Sequence, residues 1–188
     1  SKSGYGLETE TEIKQLEVMD DLIDYHPLDI VKTYMGAHEV PADFDGNTDD
    51  FVDYIINEGL PALKERNLAE FCDVFTEEGV FDIEQSRKIL NAAKDMGFKV
   101  RMHADEIVPI GGAGLAAEVG AFSADHLLKA SDEDLLAMRD AGVIATLLPG
   151  TAFSLKEDYA RARFIIDNGG ALALATDYNP GSCHSNSI

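Results

Sequence analysis

The chain has 188 residues, 45% of them hydrophobic and 27% charged, enough to bury a sizeable core as one domain of ordinary globular composition. Its 35 acidic side chains against 15 Lys and Arg give a net charge of −20, so neither nucleic acid nor an anionic membrane surface is expected as a partner. Two cysteines, Cys72 and Cys183, suit a reducing, cytoplasmic setting rather than a disulfide scaffold, and no run approaches the roughly 18 apolar residues of a membrane helix.

In chain order, SKSGYG reads as the tail of a strand. Thr9-Glu10-Thr11-Glu12 is a capping-box pattern that opens a helix with Ile13, Leu16, Met19 and Ile23 on one face. The strand DIVKTYMGAH ends at His38, and a turn-rich stretch from Pro41 to Asn47 leads to a helix bearing Phe51, Ile55 and Ile56. Strand EFCDVFTEE, holding Cys72 as a small core residue, precedes a helix from about Ile83 to Met96 that Gly97 stops. KVRMHAD is the next strand, followed by a glycine-rich loop and the short helix GLAAEVG. Strand AFSADH leads to a helix begun by Ser131-Asp132-Glu133-Asp134 and stopped by Gly142. Strand VIATLLPG is followed by a helix expected to open on a second capping box, Ser154-Leu155-Lys156-Glu157, and to end near Asn168-Gly169-Gly170. ALALATD is the last strand.

Strands that alternate with helices build a parallel sheet. The near-continuous apolar runs VIATLL and ALALA are those of strands covered on both faces. Residues fit for metal or proton chemistry close several of these strands: His38, His103 with Asp105 and Glu106, His126, and Asp177. In a (β/α)8 barrel all such ends share one rim, whereas an open sheet gathers them only at its switch point. The fold class expected is therefore α/β, an incomplete (β/α)8 barrel of about strands two to eight in one domain over residues 1–188, since a whole barrel takes about 250 residues. The chain starts at Ser1 without a Met and shows no secretory signal, so it is expected to be missing its natural start.

Singly, each candidate has an ordinary structural reading: a strand-end His can be a satisfied surface residue, and Asp177 could cap a following helix. His26 and His184 read as solvated loop residues. Gly112-Ala113-Gly114-Leu115-Ala116-Ala117 matches the spacing of a dinucleotide-binding turn. Its context is wrong, because residues 106–110 separate it from the strand, so it reads as a tight loop. Two imidazoles and a carboxylate at converging strand ends are the donors of a hydrolytic divalent-metal centre.

SKSGYGLE, TYMGAHEVP, RMHADEI with its following glycines, SADHL, LLPGT with the downstream YARAR, and ATDYNPGS together resemble the imidazolonepropionase family of the metal-dependent amidohydrolase superfamily, from Ser1 to Ile188. HADE, SADH and ATD alone would indicate only the superfamily. The resemblance implies His103 and Asp177 as ligands of one zinc or iron ion. It implies His126 as the base, assisted by Asp177, and Glu106 as a group that both binds substrate and returns a proton. Tyr5, His38, Asn179, Gly181 and Ser182 would complete the grip on 4-imidazolone-5-propionate, whose cyclic amide would be opened to N-formimino-L-glutamate. A homodimer is implied as well. The family's two further ligands form an H-x-H pair, and no H-x-H occurs in this chain. The resemblance thus implies a piece of the enzyme with half its metal shell elsewhere and little activity alone. A nucleobase-type aminohydrolase, or a folded piece without catalysis, are the alternatives.

Overall fold

The computed structural model describes residues 1–187. Six strands follow one another in sheet order, β1 (Thr33–Ala37), β2 (Phe71–Thr76), β3 (Lys99–Ala104), β4 (Ser123–His126), β5 (Ile144–Leu147) and β6 (Leu172–Leu174). The helices between them are α1 (Thr9–Ile23), α2 (Thr48–Tyr54), α3 (Leu60–Arg66), α4 (Ile83–Asp95), α5 (Gly112–Glu118), α6 (Asp132–Ala141), α7 (Pro149–Leu155) and α8 (Ala162–Asp167). This is the parallel α/β alternation expected. The chain divides into two compact units, Ser1–Arg101 and Met102 onward, with the boundary inside β3. Among the described residues no helix is long and apolar enough to cross a membrane.

In the first unit β1 and β2 pair in parallel, Thr33 opposite Phe71 and Tyr34 opposite Cys72, with a register shift before Ala37 pairs with Val74. Such a shift bends a strand and re-aims the residue beyond its end, here His38. The N-terminal segment continues the sheet as expected: Lys2 bridges Thr33 in parallel, with Ser3 N donating to Thr33 O and Thr33 N to Ser1 O, both at 3.0 Å. The Tyr34 hydroxyl fills the space over Gly36 and lies 2.7 Å from where a Cβ on Gly59 would stand. Only glycine at both places lets that ring pass between β1 and the helix above it.

That helix runs through α2, a π-turn at Ile55–Gly59, and α3. Pro61 cannot donate the main-chain bond an α-helix would require of it, and a π-turn is one way a helix absorbs the fault. Asn47 and Asp50 close a full capping box at the start of α2, and Asp82 with Gln85 does so for α4. In α4 the buried Ile89, Leu90 and Ala93 form one face packed against β2. Burial of each large aliphatic contributes about 1.5–3 kcal/mol. Gly97 follows α4 with φ +88°, the left-handed stop its sequence position predicts.

Two capping expectations are corrected. Thr9 is the first residue of α1 rather than its cap. The Glu12 carboxylate reaches past it to accept from Gly6 N (2.6 Å) and Leu7 N (3.0 Å), so it ties down the segment carrying Tyr5. Ser154 lies inside α7 and its hydroxyl donates to Gly150 O at 2.9 Å. The following helix begins only at Ala162. Pro149 at the head of α7 has a fixed φ suited to that first turn, and it starts the helix one strand-end earlier than the capping pattern suggested.

Burial raises the Tyr34 phenol well above its usual 10.0, with the neighbouring Cys72, Glu12 and Tyr54 adding to the effect. Burial likewise pushes the Cys72 thiol far above 9.0, with Asp73 adding. Both stay protonated in the folded chain while the unfolded chain would release its protons. Stability is therefore fully present below about pH 9 and falls as pH rises, by up to about 1.4 kcal/mol per pH unit for each group. Urea unfolding at pH 8, 9.5 and 10.5 should show the midpoint dropping steadily above pH 9, and Cys72→Ala should remove the part of the drop that begins near pH 9. A midpoint flat to pH 10.5 would contradict the buried neutral pair.

In the second unit β4, β5 and β6 pair in parallel in regular register, Ala124 with Ala145 and Thr146 with Ala173. Leu127 N donates to Ala104 O at 3.1 Å and so joins the end of β4 to the end of β3. The core is made by small and medium side chains, among them Ala113, Leu115 and Ala116 of α5, Leu135 and Met138 of α6, and Ala124 and Ala145 of the strands. Ser131 caps α6 and Gly142 ends it at φ +74°. β6 is shorter than expected: it stops at Leu174 and leaves Ala175 to Asp177 outside the strand.

Candidate active site

Candidate residues in each unit stand at or just beyond the end of a strand. In the first unit, His38 follows β1, and its Nδ1 makes a short hydrogen bond with Gly4 O. Tyr5, the next residue, sets its ring edge-on to the imidazole with centroids 5.0 Å apart, and Phe75 lies tilted against the same imidazole at 6.0 Å. The parallel bridge at Lys2 therefore does more than extend the sheet, because it delivers Tyr5 to His38. Tyr5 is 57% exposed, so the pair forms a surface-accessible ring wall. Asp73, wholly buried in β2, is ion-paired with Lys2 at 2.6 Å.

In the second unit the ends of β3 and β4 form one cluster. His103 is the penultimate residue of β3 and His126 the last of β4. Their rings lie 5.2 Å apart, and His126 Nε2 is 3.4 Å from Glu106 Oε2. A ring nitrogen of His103 and a carboxylate oxygen of Asp125 lie within 4.8 Å of each other. Imidazole nitrogen and carboxylate oxygen are the donor types a zinc or iron(II) ion accepts, so this pair fits a divalent ion. His126 and Asp125 are both buried.

The backbone is held in unusual conformations at these strand ends. Asp105 (φ +51°), His126 (φ +71°), Leu127 (φ +61°) and Asp177 (φ +51°) are all left-handed without being glycine. Such residues cost about 1–3 kcal/mol each and persist where surrounding structure forces them, as at active sites. The forcing groups are visible: Leu127 is buried in the core, its N–H is bound by Ala104 O and Asp125 O, and Lys129 N donates to Asp105 O at 2.8 Å.

A second cluster surrounds Asp177. Thr151 Oγ1, buried in α7, donates to Asp177 Oδ2 at 2.7 Å. Asn179 Oδ1 accepts from Gly181 N (2.9 Å) and Ser182 N (2.7 Å), while its amide donates to Asp177 O (2.8 Å) and Ser182 Oγ (2.9 Å). Asn179 thus organises the loop, and the polar atoms expected to face a substrate are engaged within it.

The structure gathers the sequence-derived candidates into three local groups: Tyr5 with His38, His103 with Glu106 and His126, and Asp177 with Asn179, Gly181 and Ser182. Asp125 as a donor beside His103, and Thr151 as the partner of Asp177, were not singled out by the sequence. Asp125 directly precedes His126, and because successive strand side chains point to opposite faces, the pattern gave no reason to expect both in one cluster. Thr151 carries no sequence signal, for it lies one helical turn past a strand and is 26 residues from its partner.

No family model matches the chain. Among curated proteins, the imidazolonepropionase of Clostridium tetani is 62% identical over 187 residues, covering all of this chain and 45% of its own length. That of Bacteroides thetaiotaomicron is 59% identical over 189 residues, with the same coverage. The chain is therefore homologous along its whole length to imidazolonepropionases and spans about 45% of the length of these relatives. Among solved structures, a guanine deaminase from C. acetobutylicum with bound guanine superposes with a TM-score of 0.69 at 14% identity, over 96% of this chain and 46% of that one. An Arabidopsis ADAL complexed with IMP gives 0.66 at 14% identity, over 89% and 51%. At such identity these structures show the fold alone, and this chain matches about half the length of each.

Proposed function

We propose that a protein carrying this chain hydrolyses the cyclic amide of 4-imidazolone-5-propionate to N-formimino-L-glutamate, as part of histidine breakdown in the cytoplasm. The observation that carries the reading is the Glu106–His126 pair beside His103, in a chain alignable end to end with imidazolonepropionases. His103, Asp125 and Asp177 are the residues of the second unit offered to one divalent metal ion, zinc or iron, with further ligands expected from an H-x-H pair. When bound, such an ion supplies Lewis acidity and makes water a nucleophile near neutral pH.

In this reading His126 takes the proton from the attacking water as oxygen bonds to the ring carbonyl carbon, the ordinary work of an imidazole near neutrality. Its 3.4 Å approach to Glu106 gives that proton a path to the carboxyl group. Glu106 then delivers it to the ring nitrogen as the C–N bond breaks, so the ring opens with one water consumed and no net proton change. Tyr5 and His38 present the ring wall against which a planar imidazolone can lie. The Asn179 loop, tied to the Asp177 main chain, is the segment proposed to meet the substrate carboxylate, with the Gly181 and Ser182 donors exchanging their bonds to Asn179 for that carboxylate on binding. A homodimer is the assembly proposed.

The likeness to a guanine-bound deaminase favours one rival, an aminohydrolase acting on a nucleobase. A protein containing this chain, loaded with zinc or iron, should open imidazolonepropionate and release no ammonia from guanine. Ammonia release without ring opening would replace the proposal by the rival.

A further inference from the structure

Asp105 stands between His103 and Glu106 and is itself buried, with 1% exposure. Its carboxylate accepts three main-chain N–H groups: Oδ1 from Gly111 (2.9 Å) and Gly112 (3.0 Å), and Oδ2 from Ala113 (2.8 Å). A carboxylate at the start of a helix commonly binds free amides there. Two features go beyond a cap. The same residue's carbonyl accepts Lys129 N at 2.8 Å, three residues after His126, and its backbone is held at φ +51°. Moreover α5 begins directly on the end of β3: a Cβ on Gly112 would stand 3.0 Å from Ala104 Cα, so the helix is seated on the strand that carries His103.

We propose that Asp105 is a positioning residue that sets the two loops of the catalytic cluster at once. Its side chain pins the β3 exit to the first turn of α5, and its carbonyl pins the β4 exit to the β3 exit. The left-handed backbone points the carboxylate at α5, while the next residue, Glu106, meets His126. Loss of the side chain frees the residue to return to an ordinary φ, and Glu106 and the Lys129 bond move with it. That the positioned groups are catalytic rests on the hydrolase reading above; the clamp itself does not.

The test uses a ¹⁵N-labelled protein that contains this chain and its Asp105→Asn and Asp105→Ala variants. Amide exchange is read at Gly111 to Ala113 and Lys129, and the imidazole ¹H–¹⁵N signals are read for His103, His126 and His38. In Asp105→Asn the oxygen can still accept from Gly111 and Gly112, but the amide nitrogen faces Ala113 N–H, donor against donor. Protection at Ala113 should fall about tenfold, while that at Gly111 and Gly112 is largely kept. In Asp105→Ala all three should lose about tenfold or more, an order comparable to losing a hydrogen bond of about 1.5 kcal/mol. In both variants the His103 and His126 ring signals and Lys129 protection should change, with those of His38 unmoved.

If α5 amides lose protection while both ring signals and Lys129 stay as in the parent, Asp105 is only a helix cap and the proposal falls. If Asp105→Ala does not fold, Asp105→Asn decides alone, and unchanged rings in that variant also overturn it. No substrate enters the measurement. A protein that fails to open imidazolonepropionate while these signals shift as expected therefore refutes the hydrolase reading and leaves the clamp standing.

Discussion

Replacing His126 by Ala in a metal-loaded protein that contains this chain should lower kcat about 10²–10⁴-fold, the range for a positioned general base, with metal content unchanged. The expectation rests on geometry. The imidazole is buried at the end of β4 and its Nε2 faces Glu106 at 3.4 Å, while Asp125 offers a carboxylate oxygen within 4.8 Å of a His103 ring nitrogen. Alanine also occupies a left-handed position here, φ +71°, so part of any stability loss would be backbone strain. His126→Asn separates the two effects, because Asn tolerates that conformation far better. It should unfold closer to the parent and be as inactive as the alanine variant. Glu106→Gln should impair ring opening too, since an amide cannot carry the proton to the leaving nitrogen. If metal disappears together with activity in His126→Asn, the residue is a ligand and the assignment as base is wrong.

The strand–helix alternation was legible because each signal is local. Apolar runs such as VIATLL, stops such as Gly97 and Gly142, and the Asp82–Gln85 box act within a few residues. The strand-end positions of His103 and His126 were legible for the same reason. Thr9 and Ser154 misled because a capping pattern states what a side chain can do, whereas the path of the preceding chain decides whether it does. Glu12 found the amides of Gly6 and Leu7, and Pro149 started a helix before Ser154 could. The Thr151–Asp177 bond and the Lys129–Asp105 bond join residues more than 20 positions apart. No spacing rule reports such contacts, which exist only once strands and helices are stacked. Left-handed φ at Asp105, His126 and Asp177 is equally invisible, for nothing in a non-glycine residue announces it.

The 188-residue chain by itself should bind metal weakly and turn imidazolonepropionate over at least about 10³-fold more slowly than a protein holding the whole metal shell. Of the ligands that the sequence resemblance implies, it would offer His103 and Asp177, and it contains no H-x-H. Catalytic zinc sites keep three protein ligands and one open position. The structure adds Asp125 beside His103, so a loosely held ion is expected rather than none. Recruiting His126 as a third ligand would raise affinity but consume the base, and the proton path to Glu106 would be lost with it. The chain also presents β6 with Leu174 52% exposed, and Phe153 near the end of α7 at 73%. Exposed apolar groups on and near a strand of this kind invite association between copies, so concentration-dependent aggregation should accompany the low activity. Metal analysis after dialysis, a ring-opening assay and light scattering at two protein concentrations together test this. Stoichiometric metal that survives dialysis, with turnover within about tenfold of a complete imidazolonepropionase, would mean that the donors already in these 188 residues suffice and that the H-x-H pair is dispensable.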